Sequence, residues 1–131
     1  MRILVLGATG AAGGSLLDVA LTSPLVAEVR TLSRRQIETG SARHVGFVHA
    51  DLFDYRPVAE AFAGVDAAFY CIGRSVSQIG DEAAYRRLAL EAAEVAAQQL
   101  AAASPAAAFH YLSGQGASLA SRQMWARVKA E

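Results

Sequence analysis

Short apolar runs alternate with amphipathic segments along the chain, which predicts strands that alternate with helices. The predicted strands cover residues 3–6, 28–33, 45–49, 66–71 and 107–112. The predicted helices cover residues 11–22, a short segment from Asp54 or Tyr55 to Gly64, residues 81–103, and a last segment from about Ser121. Residues 74–80 are predicted to form a polar loop.

This alternation predicts an α/β fold with right-handed crossovers, in which a doubly wound parallel sheet has helices on both faces. The expected architecture is a three-layer Rossmann fold with strand order 3-2-1-4-5. The pattern stops inside the last predicted helix, so we expect the fold to be truncated after the fifth strand and the helix that follows it.

Three glycines follow the first predicted strand: Gly7, Gly10 and Gly13. Gly7 permits a tight turn, Gly10 lets the main chain approach a pyrophosphate, and Gly13 lets the helix lie close to the strand. The N–H groups at the start of that helix would face the phosphates. The predicted phosphate-binding residues are Gly7, Thr9, Gly10, Ala11, Ala12 and Gly13. The alternative is a tight turn that binds no ligand.

Residue 33 lies about 20 residues beyond the glycines, where an acidic residue would bind the ribose 2′-hydroxyl of NAD(H). The chain has Ser33-Arg34-Arg35 at this point, without a carboxylate. Guanidinium groups suit a 2′-phosphate, because their planar donors form paired hydrogen bonds with phosphate oxygens. We therefore predict NADP(H) in preference to NAD(H) as the cofactor; the alternative is two solvated arginines after a strand.

Two other strand ends carry candidate cofactor-binding residues, because parallel strands present their C-terminal ends at one edge. After the third strand, Asp51 is expected to accept a hydrogen bond from the adenine amino group, beside the N–H of Leu52. The alternative for Asp51 is the cap of the next helix. After the fourth strand, Cys71, Ile72 and Gly73 are expected to lie against the nicotinamide ribose. Cys71 is interpreted as a small apolar strand residue and not as a nucleophile.

The composition, 53% hydrophobic and 18% charged over 131 residues, predicts one folded domain over residues 1–131. The 12 basic and 12 acidic residues cancel, so we expect neither a nucleic-acid partner nor an anionic membrane partner. The one cysteine cannot form an internal disulfide, and we expect a cytoplasmic protein. The three histidines lack metal-ligand spacing, so we predict no metal site.

With these motifs, the chain resembles the short-chain dehydrogenase/reductase superfamily, and within it the atypical, NADP-binding group of Tat-interacting oxidoreductase-like and NmrA-like proteins. The resemblance covers the whole chain. It rests on the glycine motif, Ser33-Arg34-Arg35, Asp51-Leu52, Cys71-Ile72-Gly73, and Tyr111-Leu112-Ser113 followed by Lys129. It implies an NADP(H)-dependent carbonyl or alcohol oxidoreductase.

The resemblance also implies an active site made of a serine, a tyrosine and a lysine. Ser113 falls on the serine position, where it would orient a carbonyl. Lys129 falls on the lysine position, where it would bind the nicotinamide ribose and lower the pKa of the tyrosine. Trp125 stands at the tyrosine position, and an indole N–H cannot act as an acid near neutral pH. The proton donor that the family pattern expects is therefore missing.

Three alternatives follow from this departure. The chain is a reductase in which water or Tyr85 supplies the proton, or it is a non-catalytic NADP(H)-binding module with a redox-sensing or regulatory role, or Trp125 is mainly a packing residue in a degenerate pocket. The resemblance further implies that the C-terminal substrate region is largely absent, in a shortened protein or a fragment of a longer one. It also implies a homodimer surface on the Ala-rich helix at residues 83–103 and the last helix.

Overall fold

The computed structural model describes residues 1–131, with the exception of the Val76 side chain. Its strands are β1 (Arg2–Leu6), β2 (Glu28–Ser33), β3 (His44–Val48), β4 (Ala67–Tyr70) and β5 (Ala108–Tyr111). They form one sheet in the order β3-β2-β1-β4-β5, and every neighbouring pair is parallel. The predicted Rossmann topology is therefore confirmed.

Helical segments connect the strands. They are α1 (Ala11–Thr22), a 3₁₀ helix (Arg56–Phe62), α2 (Val76–Ile79), α3 (Glu82–Arg86), a π-helical turn (Arg87–Glu91), α4 (Ala92–Ala103) and α5 (Met124–Val128). No described helix is both long enough and apolar enough to cross a membrane.

Helices cover both faces of the sheet. On one face, Phe62 of the 3₁₀ helix and Ala96 of α4 pack in a cluster with Leu4 of β1. On the other face, Leu17 of α1 packs in a second cluster with Val5 of β1. Because successive side chains of a strand point to opposite faces, a strand covered on both sides must be apolar throughout. This explains the continuous apolar run of β1. The helices on both faces also give the three layers that the sequence predicts.

Strand β1 lies at the centre of the sheet. Its residue Val5 is in register with Thr31 of β2 and with Phe69 of β4. Since these strands run in the same direction, the loops that follow them meet at one edge of the sheet. In a sheet of this kind, that edge forms the ligand crevice.

The helix predicted from residue 54 or 55 to residue 64 is shorter and tighter than expected. It is a 3₁₀ helix, and Val58 within it has a non-helical conformation with φ −128° and ψ 27°. The N–H of Ala63 closes the segment on the carbonyl of Glu60 at 3.2 Å. A segment of seven residues could form only a few α-helical hydrogen bonds, so an α-helix would have little advantage over the 3₁₀ helix here.

Three other helical segments differ from the prediction. The predicted helix at 81–103 is interrupted by the π-helical turn, where the N–H of Ala92 donates to the carbonyl of Arg87. The short helix α2 forms inside the segment predicted as a polar loop. The last helix begins at Met124, not near Ser121, and ends at Val128. Hydrophobic periodicity does not reveal one extra residue in a helix or a single isolated turn.

Candidate functional site

A cleft of about 610 Å³ lies where β1, β2, β3 and β4 end. It is lined by Gly7, Thr9, Gly10, Leu32, Ser33, Arg34, Arg35, His49, Ala50, Leu52, Cys71, Ile72, Gly73, Arg74, Ile79, Ala84 and Leu88. The lining joins the loops of four strands with α2, α3 and the π-helical turn. The topology therefore brings together most of the cofactor-binding residues that the sequence predicts.

The glycine turn after β1 is packed against main chain on two sides. Gly7 has φ 88°, and a Cβ atom there would lie 2.9 Å from the carbonyl carbon of Cys71. A Cβ atom on Gly13 would lie 2.8 Å from the carbonyl carbon of Gly7. Both distances are shorter than a carbon–carbon contact allows. The loop after β4, the turn and the first turn of α1 can therefore approach this closely only with glycine at both positions.

The N-terminus of α1 opens toward this turn without a capping side chain. Gly10 is the N-cap residue, and the first turn of α1 contains no acidic residue. The first N–H groups of a helix have no acceptor within the helix, so they are free to bind an anion. Ala11 and Ala12 are exposed and Gly13 is buried. None of these three predicted residues is among those that line the cleft.

Arginines dominate the charge of the cleft. Ser33 is 8% exposed, and its hydroxyl donates to the carbonyl of Arg35 at 2.6 Å, which fixes the loop after β2. The side chains of Arg34 and Arg35 are exposed and line the cleft. Within the part of the chain that the structure describes, neither forms an ion pair. Arg74 adds a third guanidinium, and no carboxylate lies among the lining residues.

The loop after β3 supplies one wall. Leu52 lines the cleft, whereas Asp51 does not. A carboxylate oxygen of Asp51 accepts a hydrogen bond from the N–H of Phe53 at 2.8 Å. The next helix has Tyr55 at its N-cap, so Asp51 stabilises the turn before the helix and does not cap the helix. The ring of His49 also lines the cleft, and its Nε2 lies 2.7 Å from the carbonyl oxygen of Asp54.

The residues at the expected catalytic positions lie outside this cleft. Ser113 is exposed in the loop after β5. The Lys129 ammonium donates to the carbonyl of Leu112 at 3.0 Å and lies 5.5 Å from the centre of the Tyr111 ring. Burial lowers the pKa of Lys129. Lys129 lines a separate cavity of about 240 Å³, next to the outer strand β5.

Trp125 has a packing role in the structure. A Cβ atom on Gly114 would lie 2.7 Å from a carbon of the Trp125 ring, so the indole rests directly on the Gly114 main chain. The ring also packs against a small buried cluster that contains Tyr85, Ala89 and Val128. This agrees with the packing alternative for Trp125. Tyr85 is 4% exposed and does not line the cleft, so its burial argues against it as the proton donor.

Several lining residues were missed in the sequence. Arg74 had a usable signal, because it directly follows the predicted strand end at Gly73. Ala84 and Leu88 had a weaker signal: they lie near the start of the helix predicted after β4, but helical periodicity does not say which of its side chains face the cleft. Among the described residues, no group of three or more His, Cys, Asp and Glu side chains is arranged to hold a metal ion.

The sheet order, the glycine turn and the cleft at the strand ends define a Rossmann-fold protein. The sequence comparison specifies the family. The chain belongs to the NmrA-like family, whose family model matches residues 1–99.

Solved structures share this fold. The UDP-Glc/GlcNAc 4-epimerase from Campylobacter jejuni matches 98% of the chain with a TM-score of 0.79 at 16% identity. A short-chain dehydrogenase/reductase superfamily protein from Agrobacterium tumefaciens with bound NAD matches 99% of the chain with a TM-score of 0.71 at 20% identity. The dTDP-glucose 4,6-dehydratase from Streptomyces venezuelae, a double mutant with NAD bound, matches 99% of the chain with a TM-score of 0.73 at 23% identity. The chain spans 46%, 42% and 48% of these proteins, respectively.

Proposed function

We propose that this chain binds NADP(H) in the cleft and acts as a non-catalytic, redox-sensing or regulatory module. The observation that carries the proposal is the charge of the cleft, which has three arginines and no carboxylate among its lining residues. A dinucleotide with a 2′-phosphate carries more negative charge than NAD(H), so this cleft favours NADP(H) electrostatically.

The residues present fit each part of such a cofactor. The glycine turn and the uncapped N-terminus of α1 would hold the pyrophosphate. Arg34 and Arg35 would hold the 2′-phosphate, and Leu52 would pack against the adenine ring. When bound, NADP(H) would supply or accept a hydride at its nicotinamide ring. Two of the structural neighbours have NAD bound, which supports a nicotinamide dinucleotide here.

The proposal of a module without catalysis rests on the C-terminal residues. Trp125 replaces the expected tyrosine and packs on Gly114. No tyrosine is among the residues that line the cleft. The Lys129 ammonium already donates to a main-chain carbonyl next to a different cavity. These contacts stabilise the C-terminal segment. They place no proton donor so that it faces the cofactor cleft.

Titration calorimetry with NADPH and with NADH tests the binding proposal. We expect NADPH to bind at least about tenfold more tightly, since a charge-assisted phosphate contact contributes roughly 1.5–3 kcal/mol. Arg34→Gln and Arg35→Gln should each lower the affinity for NADPH by about tenfold and leave the affinity for NADH nearly unchanged. Arg122→Gln is the matched control, because Arg122 is exposed and does not line the cleft. Equal or tighter NADH binding would refute the NADP(H) preference.

A carbonyl reductase is the second candidate function. It is favoured by the fold that the chain shares with dehydrogenases and by Ser113 and Lys129 at the family's serine and lysine positions. The absorbance of NADPH, followed with a panel of aldehydes and ketones, separates the two candidates. Binding without turnover supports the module, and turnover above that of a heat-denatured sample supports the reductase.

A further inference from the structure

Two tyrosines of the sheet hold the π-helical turn between α3 and α4. The hydroxyl of Tyr70, in β4, donates to the carbonyl of Leu88 at 3.0 Å. The hydroxyl of Tyr111, in β5, donates to the carbonyl of Ala89 at 2.7 Å. The two rings stack with their centres 6.0 Å apart. Two consecutive carbonyls of one helical turn are therefore bound by neighbouring strands.

The π-helical turn directs its residues toward three different surroundings. The Arg87 guanidinium lies 4.0 Å from the centre of the Phe53 ring. The next residue, Leu88, lines the cleft. Ala89 is 4% exposed and packs in the cluster with Val128. One residue more or less in a helix rotates every following side chain by about 100°. The helical phase of this turn therefore decides which side chain faces the cleft.

Leu88 is one of several aliphatic residues that line the cleft. Leu52 and Ile72 supply two further large aliphatic side chains to the lining, from the loops after β3 and β4. The contact of Arg87 with Phe53 holds the π-helical turn beside the loop that contains Leu52. Aliphatic side chains in a cleft that also holds Arg34 and Arg35 suit the flat adenine base, which binds through apolar surface contact more than through charge.

We propose that Tyr70 and Tyr111 are positioning residues for the cofactor, which fix the π-helical turn and thereby place Leu88 against the adenine base. This inference rests on the proposed binding of NADP(H). Single π-helical turns occur frequently at functional sites, and contacts from outside the helix can fix the position of such a turn. Here those contacts are the two hydroxyl donors.

The hydroxyls are suited to this role at any ordinary pH. Burial raises the pKa of Tyr70 well above its usual value and raises the pKa of Tyr111 to about 12. Both groups therefore keep the hydrogen that they donate. Tyr70 is 1% exposed, so no water competes for the carbonyl of Leu88 from that side.

The first test compares Tyr70→Phe with the unchanged chain, using NADPH and adenosine 2′,5′-bisphosphate as probes. The second probe contains the adenine and the 2′-phosphate but not the nicotinamide. We expect Tyr70→Phe to lower the affinity for both probes by the same factor of about five, the loss typical of one hydrogen bond. The ratio of NADPH to NADH affinity should stay constant, because Arg34 and Arg35 are untouched.

Tyr55→Phe is the matched control. Tyr55 is 2% exposed, as deeply buried as Tyr70, and its hydroxyl has no hydrogen-bond partner among the described residues. Removing that hydroxyl should leave the affinity for both probes unchanged. If Tyr70→Phe fails to fold, Tyr111→Phe replaces it, because Tyr111 is only half-buried in an outer strand.

A double-mutant cycle with Leu88→Ala separates positioning from general destabilisation. If Tyr70 acts through Leu88, Tyr70→Phe should cause no further loss of affinity in the Leu88→Ala background. Additive losses, or a Tyr70→Phe chain that binds adenosine 2′,5′-bisphosphate normally, would overturn the inference and leave the proposed function intact. An unchanged chain that binds neither probe would overturn both.

Discussion

The glycine turn and the C-terminal segment are held in place in different ways. At the glycine turn, main chain packs on main chain, and Gly7 and Gly13 leave no room even for a methyl group. The C-terminal segment depends on side chains. Trp125 rests on Gly114, and Arg127 lies 3.4 Å from Glu82 of α3 in an ion pair that remains half-exposed.

In the proposed function, this difference separates cofactor binding from catalysis. The residues predicted to bind a dinucleotide converge at the strand ends because the parallel sheet brings them there. Trp125 packs α5 against α3, and Lys129 at the end of α5 contacts Tyr111 of β5 and the carbonyl of Leu112. Changes in the first region should therefore affect cofactor affinity, and changes in the second should affect stability alone.

Gly13→Ala should have the largest effect. The new methyl group would meet the main chain of Gly7, which cannot move without displacing β1, and overpacking of this kind costs about 3 kcal/mol. Urea denaturation followed by circular dichroism measures the loss. Gly14→Ala is the control, since a Cβ atom there lies 3.4 Å from the carbonyl oxygen of Ala8 and alanine favours a helix. Equal stability of the two variants would contradict the close packing described for the turn.

Trp125→Ala should have an intermediate effect that is confined to stability. The indole is half-buried, so its loss should lower the free energy of unfolding by about 2 kcal/mol, less than for a fully buried ring. NADPH affinity, measured by calorimetry well below the unfolding temperature, should change less than about twofold. Trp125→Tyr should lose less stability and show no carbonyl reduction. Turnover by Trp125→Tyr would mean that position 125 reaches the cofactor.

Lys129→Met should have the smallest effect, and that effect should depend on pH. Burial lowers the pKa of Lys129 below its ordinary value of 10.5, so the unfolded chain binds this proton more strongly than the folded chain. Burying the charged ammonium therefore destabilises the folded chain. This penalty is present in full at neutral pH and disappears as the pH rises toward 10.5. Lys129→Met removes this penalty together with the hydrogen bond to Leu112, so the two chains should differ little in stability at pH 7, and the stability of Lys129→Met relative to the unchanged chain should fall as the pH rises toward 10.5.

Chemical denaturation of both chains at a series of pH values checks this prediction, because the titration of tyrosines is common to both and cancels. NADPH affinity should be equal in the two chains at pH 7. A clear loss of NADPH affinity in Lys129→Met would place the ammonium at the nicotinamide ribose, as the family pattern implies.

The sheet and much of the cleft could be predicted because they depend on local signals. Alternation of apolar runs and helices defines a parallel sheet, and the ends of its strands define the crevice, so Gly7, Arg34 and Ile72 were identified from chain position alone. The contribution of Leu88 could not be predicted. It depends on one extra residue in a helical turn and on hydroxyl groups from two strands.

The C-terminal contacts are unpredictable for a similar reason. The contact of Trp125 with Gly114 and the hydrogen bond from Lys129 to Leu112 join segments through tertiary packing, which leaves no periodic pattern. Sequence spacing identified these residues only as positions in a family motif. Their surroundings depend on the tertiary fold.

The central position of β1 also has a consequence for how the chain folds during synthesis. Ile3 pairs with Val29 on one side and with Ala67 on the other, so the chain must leave the ribosome at least as far as Ala67 before β1 has both neighbours. Until then the most apolar strand of the sheet has an open edge, which invites pairing with other nascent chains. The slow step in forming this fold should therefore be the arrival of β4, and chaperone protection would be needed most before it.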